Sequence, residues 1–216
     1  MTLCVALLGG SYDPVHLGHV ALGAHFARLL AVDQLRVIPA GTPWQKQPLQ
    51  ASFEQRAAMV QLAFDDAGVV ITLDRQEIER PAPTYTIDTL RQIRAEFGPQ
   101  ASLVFLMGAD QLQQLASWRQ WRQLFDYAHI CVAARPGFAL NGPLTPQALA
   151  EEFTPRQASV EQIRNTPHGL TYLAQDFAVD ISATRIRAAL KRGDQANTLV
   201  SPRVLDYIEQ HHLYKS

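Results

Sequence analysis

The chain has little cysteine: Cys4 and Cys131 are its two thiols in 216 residues. Both sit inside apolar runs, where a reduced, buried small hydrophobe is expected and a disulfide or reactive nucleophile is not. No cluster of Cys and His stands at metal-ligand spacing, which removes the structural zinc modules. An excess of one charge is missing too. With 19 Lys and Arg against 20 Asp and Glu the formal net charge is −1, so no global field gathers nucleic acid or acidic lipid. Any anion must be met by locally placed donors, and neither a nucleic-acid nor a membrane partner is expected. Long hydrophobic stretches are also absent, since none approaches the roughly 18 apolar residues of a membrane span. The opening run, 1–8, is apolar, but it lacks a preceding basic region and meets Gly9-Gly10 too soon for a signal peptide. The cytoplasm is the expected compartment.

What is present is an ordinary globular composition, 47% hydrophobic and 18% charged. Apolar runs alternate with stretches of helical period, which predicts a single α/β domain over 1–216. Its expected form is a Rossmann-like, doubly wound, mostly parallel sheet with flanking helices and a small C-terminal helical part. Residues 3–8 read as a central strand buried on both faces, 17–30 as a helix and 35–38 as a second strand. Ser52-Phe53-Glu54-Gln55 is a capping box opening a helix to about Ala67, and 69–73 reads as the third strand. A helix with Ile87, Leu90, Ile93 and Phe97 on its apolar face begins near Thr86 and stops at Gly98-Pro99. A buried strand at 103–107, short helical pieces around Trp118 and a strand at 129–133 follow. The polar, Pro-punctuated tract 138–167 yields only a helix near 145–153. Residues 171–174 read as a sixth strand and 183–192 as a helix stopped by Gly193. Ser201-Pro202 opens a last helix with Leu205 and Ile208 on its apolar face.

The chemistry concentrates where the first strand ends. Gly9 and Gly10 carry no Cβ, so the backbone there can approach an anion closely, although a plain tight turn also uses such a pair. His16 and His19 are three apart at a helix start, hence neighbours on one face beside the partial positive charge of the helix N-terminus. Gly18 between them leaves room for a substrate. A helix cap or a zinc pair is the alternative for the histidines, and zinc would need further ligands that the sequence does not offer. Asp13 and Pro14 read first as structural, the carboxylate accepting backbone N–H groups and the proline pre-setting the turn. Far downstream, Ser182 at a helix start offers hydroxyl and backbone donors with Thr184, and Arg187 extends that anion site. An ordinary cap and a solvated helix face are the other readings of those residues.

Gly9-Gly10-Ser11-Tyr12-Asp13-Pro14-Val15-His16-Leu17-Gly18-His19 resembles the GG-[ST]-[FY]-DP-x-H-x-GH signature of the HxGH nucleotidyltransferases, and Ile181-Ser182-Ala183-Thr184-Arg185-Ile186-Arg187 resembles their second motif, I-S-x-T-x-I-R. Within that superfamily the chain is similar over nearly its whole length to the bacterial nicotinate-nucleotide adenylyltransferases. Further matching segments are Pro83-Thr84-Tyr85-Thr86, Gly108-Ala109-Asp110, Ser117-Trp118, Arg135-Pro136-Gly137 and Leu213-Tyr214. The resemblance implies an enzyme that joins ATP to nicotinate mononucleotide, giving nicotinate adenine dinucleotide and pyrophosphate. It implies an ATP site of Gly9, Gly10, Ser11, His16, Gly18, His19, Arg135, Ile181, Ser182, Thr184 and Arg187, with His16, His19 and Arg187 catalytic. The acceptor would meet Lys46, Thr86, Gly108, Asp110 and Trp118. Among these, Asp110 is suited to accept ribose hydroxyls, Trp118 to stack on the pyridine ring and Thr86 to hold its carboxylate. Magnesium would arrive on the ATP phosphates, with no dedicated protein metal site. One departure stands in the loop after the second strand, where Pro43-Trp44-Gln45-Lys46 puts Gln45 in place of the family's histidine while Lys46 keeps its cation. The same chemistry on nicotinamide mononucleotide or pantetheine phosphate, and a non-catalytic nucleotide-binding module, remain as alternatives. The sequence is silent on oligomeric state.

Overall fold

A strand buried on both faces needs an unbroken apolar run, and β1, Cys4–Gly10, has one: Cys4 through Leu8 are all buried. In the computed structural model it is followed by α1 (Leu17–Leu29), β2 (Gln34–Pro39), α2 (Phe53–Asp66), β3 (Thr72–Leu73), α3 (Thr86–Phe97), β4 (Ser102–Gly108) and α4 (Ala109–Gln114). Then come β5 (His129–Ala133), α5 (Gln147–Phe153), α6 (Val160–Asn165), β6 (Thr171–Ala174), α7 (Ala183–Lys191) and α8 (Pro202–Gln210), with short 3-10 turns at Leu115–Ser117, Trp121–Asp126 and Thr154–Arg156. The structure describes residues 2–41, 49–80, 83–134, 138, 140, 142, 145–175, 177, 182–194 and 198–215. The six strands form one sheet in the order β3-β2-β1-β4-β5-β6, with β1–β4, β4–β5 and β5–β6 paired in parallel. This is the doubly wound, Rossmann-like order that the alternating pattern predicts. Cys4 and Cys131 are buried and free. No helix among the described residues is long and apolar enough to cross a membrane.

The chain divides into two compact units: Met1–Leu8, His25–Arg36 and Tyr85–Ala178 in the first, Gly9–Ala24, Val37–Thr84 and Val179–Ser216 in the second. In the first unit the core lies around β4 and β5, whose residues Leu103 to Leu106 and Ile130 to Val132 are almost fully buried. Each such aliphatic or aromatic side chain contributes about 2 kcal/mol by leaving water. Arg94 of α3 ties this unit together by donating to the carbonyls of Gly98 (2.9 Å), Ala101 (2.7 Å), Pro167 (2.7 Å) and Tyr127 (2.7 Å). In the second unit α2 packs on α8. The capping box of α2 is formed as expected, Ser52 accepting from the Gln55 N–H and Gln55 accepting from the Ser52 N–H, a device worth about 1 kcal/mol.

Three expectations need correction. The third strand is two residues, not 69–73. Gly68 takes φ +63 after α2 and the Val69 N–H returns to the Phe64 carbonyl, so the chain is still closing the helix end and Val70 is left 90% exposed. The buried apolar face of α8 is Val204 with Ile208, while Leu205 is only half-buried. A second helix, α6, stands in the 138–167 tract beyond the one expected near 145–153, opened by a capping box between Ser159 and Gln162.

Candidate active site

The turn after β1 is built from the inside of the second unit. Tyr12 takes φ 51 and is fully enclosed, and its ring lies on Gly10: a Cβ there would come within 3.0 Å of Tyr12 Cζ. Glycine at this position is thus demanded by the turn's own packing, besides any ligand. The other edge of the Tyr12 ring meets His19, with centroids 4.9 Å apart, and His19 stacks on His16 at 3.6 Å and 23°. Two protonated rings would repel at that spacing. Burial holds His16 low, to about 4, and its buried Nδ1 has no hydrogen-bond partner among the described residues, so the uncharged imidazole is the form this pocket favours. His19 Nδ1 accepts the His16 backbone N–H at 3.2 Å, which leaves the Nε2 of a neutral His19 as the proton-bearing nitrogen. At the start of α1 the Leu17 N–H is taken by the Leu199 carbonyl and those of His19 and Val20 by the His16 carbonyl. The Gly18 N–H is left without a backbone partner among the described residues and is the open donor of that first turn.

Asp13 is the node of this region. Its carboxylate accepts from the N–H groups of Gln50 (2.8 Å) and Ala51 (3.1 Å) and from the Tyr214 hydroxyl (2.7 Å), and the Asp13-Pro14 peptide bond is cis. Burial, then the bond to Asp13, pushes the Tyr214 hydroxyl far above the ordinary phenol range, which makes it a donor at any physiological pH. The main-chain carbonyl of Asp13 accepts from Arg187 at 2.7 Å. The first motif and the second are thereby joined by a direct bond. Arg187 also donates to Thr184 Oγ1 at 3.4 Å, and among the described residues the rest of its five N–H donors meet no hydrogen-bond partner. Ser182 stands at the N-cap of α7 without a side-chain capping bond, so its hydroxyl is not used up by the helix.

Sequence reasoning missed Arg56. This residue is 2% exposed and its guanidinium bridges the carbonyls of Ser11 and Ala40, each at 2.7 Å. Burial lowers its affinity for a proton, and the two charge-assisted bonds offset that penalty. A signal was available, because Arg56 lies on the same face of α2 as Phe53, Val60 and Phe64, and a cation on an apolar stripe asks what it is paired with.

In the first unit, Gly108 is the N-cap of α4 and Asp110 the second residue of that helix, exposed. A Cβ at Gly108 would meet nothing within 4 Å. Trp118 is half-buried with its ring edge-on to Phe105 of β4, centroids 6.2 Å apart. It is neither a fully enclosed core tryptophan nor a free one. Thr86 is the first residue of α3. The start of α3 is tied to the Trp118 segment by Arg119 over the Tyr85 ring at 4.6 Å and by Arg91 donating to Gln120 at 3.1 Å. Lys46, Arg135 and Ile181 lie outside the described residues. Among the described residues no three His, Cys, Asp or Glu side chains gather where they could hold a metal ion.

The cytidylyltransferase-like family model matches residues 7–189 of this chain. A protein of Herminiimonas arsenicoxydans named probable nicotinate-nucleotide adenylyltransferase is 62% identical over 216 residues, covering 100% of this chain and 99% of that protein. One of Laribacter hongkongensis with the same name is 43% identical over 216 residues, covering 99% and 96%. Among solved structures, Plasmodium falciparum nicotinic acid mononucleotide adenylyltransferase complexed with NaAD shares the fold with a TM-score of 0.73 at 18% identity, covering 98% of this chain and 97% of that one.

Proposed function

The chain belongs to the cytidylyltransferase-like family, among the nicotinate-nucleotide adenylyltransferases, and we propose on that premise that it joins ATP and nicotinate mononucleotide in NAD biosynthesis. Products are nicotinate adenine dinucleotide and pyrophosphate. The observation that carries the reading is the His16–His19 stack after β1, close in the chain to the Asp13 carbonyl that holds Arg187. The acceptor's 5′-phosphate oxygen attacks the α-phosphorus in line, an O–P bond forms, the bond to the β-phosphate oxygen breaks, and pyrophosphate leaves. The nucleophile is already an anion, so no general base is needed. What remains for the protein is to place two anions and to stabilise charge that grows on the α-phosphate and the leaving group. His16, His19 and Arg187 do this as N–H donors, with Gly9, Gly10, Ser11, Gly18, Arg135, Ile181, Ser182 and Thr184 around the ATP. Lys46, Thr86, Gly108, Asp110 and Trp118 receive the acceptor.

A neutral imidazole at His16 suits the task, because it donates to phosphate without demanding that a buried charge be maintained between turnovers. Magnesium, carried on the ATP phosphates, neutralises their charge and keeps water and phosphate ligands, a role that asks for no protein cage. The family match at 7–189 draws on both compact units, which supports 1–216 acting as one nucleotidyltransferase domain. The test is pyrophosphate release by the purified protein with ATP and magnesium. Nicotinate mononucleotide, nicotinamide mononucleotide and pantetheine phosphate are offered separately as acceptors. Release should be fastest with nicotinate mononucleotide, and its absence there would sink the acceptor assignment.

A further inference from the structure

The first turn is held by a residue far along the chain. The Tyr214 hydroxyl reaches Asp13 Oδ1 across 201 positions, with both side chains out of solvent at 5% and 4% exposure. To deliver it the backbone enters the left-handed region twice in three residues, at His212 (φ 51) and Tyr214 (φ 63), neither a glycine. Side chains disfavour that region, and a bend of this kind persists where the surrounding structure imposes it, typically at functional positions. The turn is closed onto the end of α8 by the Leu213 N–H on the Ile208 carbonyl and the His212 N–H on the Glu209 carbonyl. Take the hydroxyl away and, among the described residues, the Asp13 carboxylate keeps donors from one segment only, the adjacent N–H groups of Gln50 and Ala51. Yet the carbonyl of this same residue is what receives Arg187. Asp13 is therefore a coupling with two ends, its side chain anchored by Tyr214 and its main chain holding a guanidinium.

We propose that Tyr214 is a positioning residue for nucleotidyl transfer, acting through Asp13 to fix the Arg187 guanidinium; the proposal rests on the function read above. Tyr214→Phe keeps the ring and removes the hydroxyl. Its kcat should fall about tenfold with KM for ATP within about twofold of the parent, the signature of an interaction made in the transition state. A merely structural role would multiply with other lesions, so the deciding measurement is the pair with Arg187→Ala: the double variant should be no slower than Arg187→Ala alone. An unchanged kcat in Tyr214→Phe, or losses that multiply in the double variant, overturns the proposal. If Tyr214→Phe does not melt cooperatively, Asp13→Asn replaces it in the same cycle, and multiplicative losses there are equally fatal. If nicotinate mononucleotide is refused while another acceptor of the panel is used, the acceptor assignment fails and the cycle is run on the accepted one. Pyrophosphate release with no acceptor at all overturns both readings.

Discussion

Two buried histidines, one in the turn after β1 and one at the start of β5, show how differently two regions of this molecule use the same side chain. His129 is fully enclosed and fully bonded: its Nε2 donates to the Thr166 carbonyl at 2.7 Å and its Nδ1 accepts the Leu170 N–H at 3.1 Å. His16 is nearly as enclosed, but its Nδ1 has no hydrogen-bond partner among the described residues and its ring stacks on His19. Burial pulls both down to about 4. The His129 ring completes a core, whereas the His16 Nδ1 keeps hydrogen-bonding capacity that no described residue consumes. Burial and protonation alone do not distinguish the two rings; the free Nδ1 does.

The contrast can be broken at its strongest point first. His19→Ala should lower kcat on the order of a hundredfold while the melting temperature holds, because the ring serves charge developing in the transition state and not the core. Steady-state rates beside a thermal melt check it, and an unchanged rate would move His19 to the structural side. In the first unit, Trp118→Ala should raise KM for nicotinate mononucleotide by about tenfold, the range of one lost aromatic stacking contact, with kcat nearly kept. A pure stability loss with unchanged KM would return Trp118 to the core. The smallest effect concerns His129. Its folded affinity for protons is depressed relative to the unfolded chain, so the unfolded state binds more protons between about pH 4 and 6.5 and stability falls as pH drops through that window. His129→Asn should flatten this decline, read as urea midpoints at pH 7 and pH 5, and leave turnover at pH 7 untouched. A slope identical to the parent's would show that His129 does not contribute to it.

The local features were legible. The glycine turn, the histidine spacing, the capping box at Ser52 and the strands at 103–107 and 129–133 are written in consecutive residues, and the structure keeps them. What escaped depends on distant partners. Arg56 looks like any helix arginine until the Ser11 and Ala40 carbonyls are seen against it, and nothing near Tyr214 announces Asp13. Val69 to Ile71 carry strand-forming residues, but the positive φ at Gly68 commits them to leaving a helix, and tertiary geometry overrides propensity there. Helix α6 (Val160–Asn165) is hidden among prolines and polar residues although its Ser-x-x-Gln start repeats the device of α2. The acceptor role proposed for Asp110 and Trp118 comes from the resemblance, since an exposed carboxylate and a half-buried indole have no local signature of their own.

The brevity of β3 has a consequence for how the protein behaves in a crowd. It forms one margin of the sheet, and a sheet margin exposes a row of unpaired amide and carbonyl groups onto which another chain can zip. The strand is only two residues long, and Val70, 90% exposed, lies outside it. A foreign strand arriving there finds a foothold of one or two hydrogen bonds, too short to nucleate a ladder.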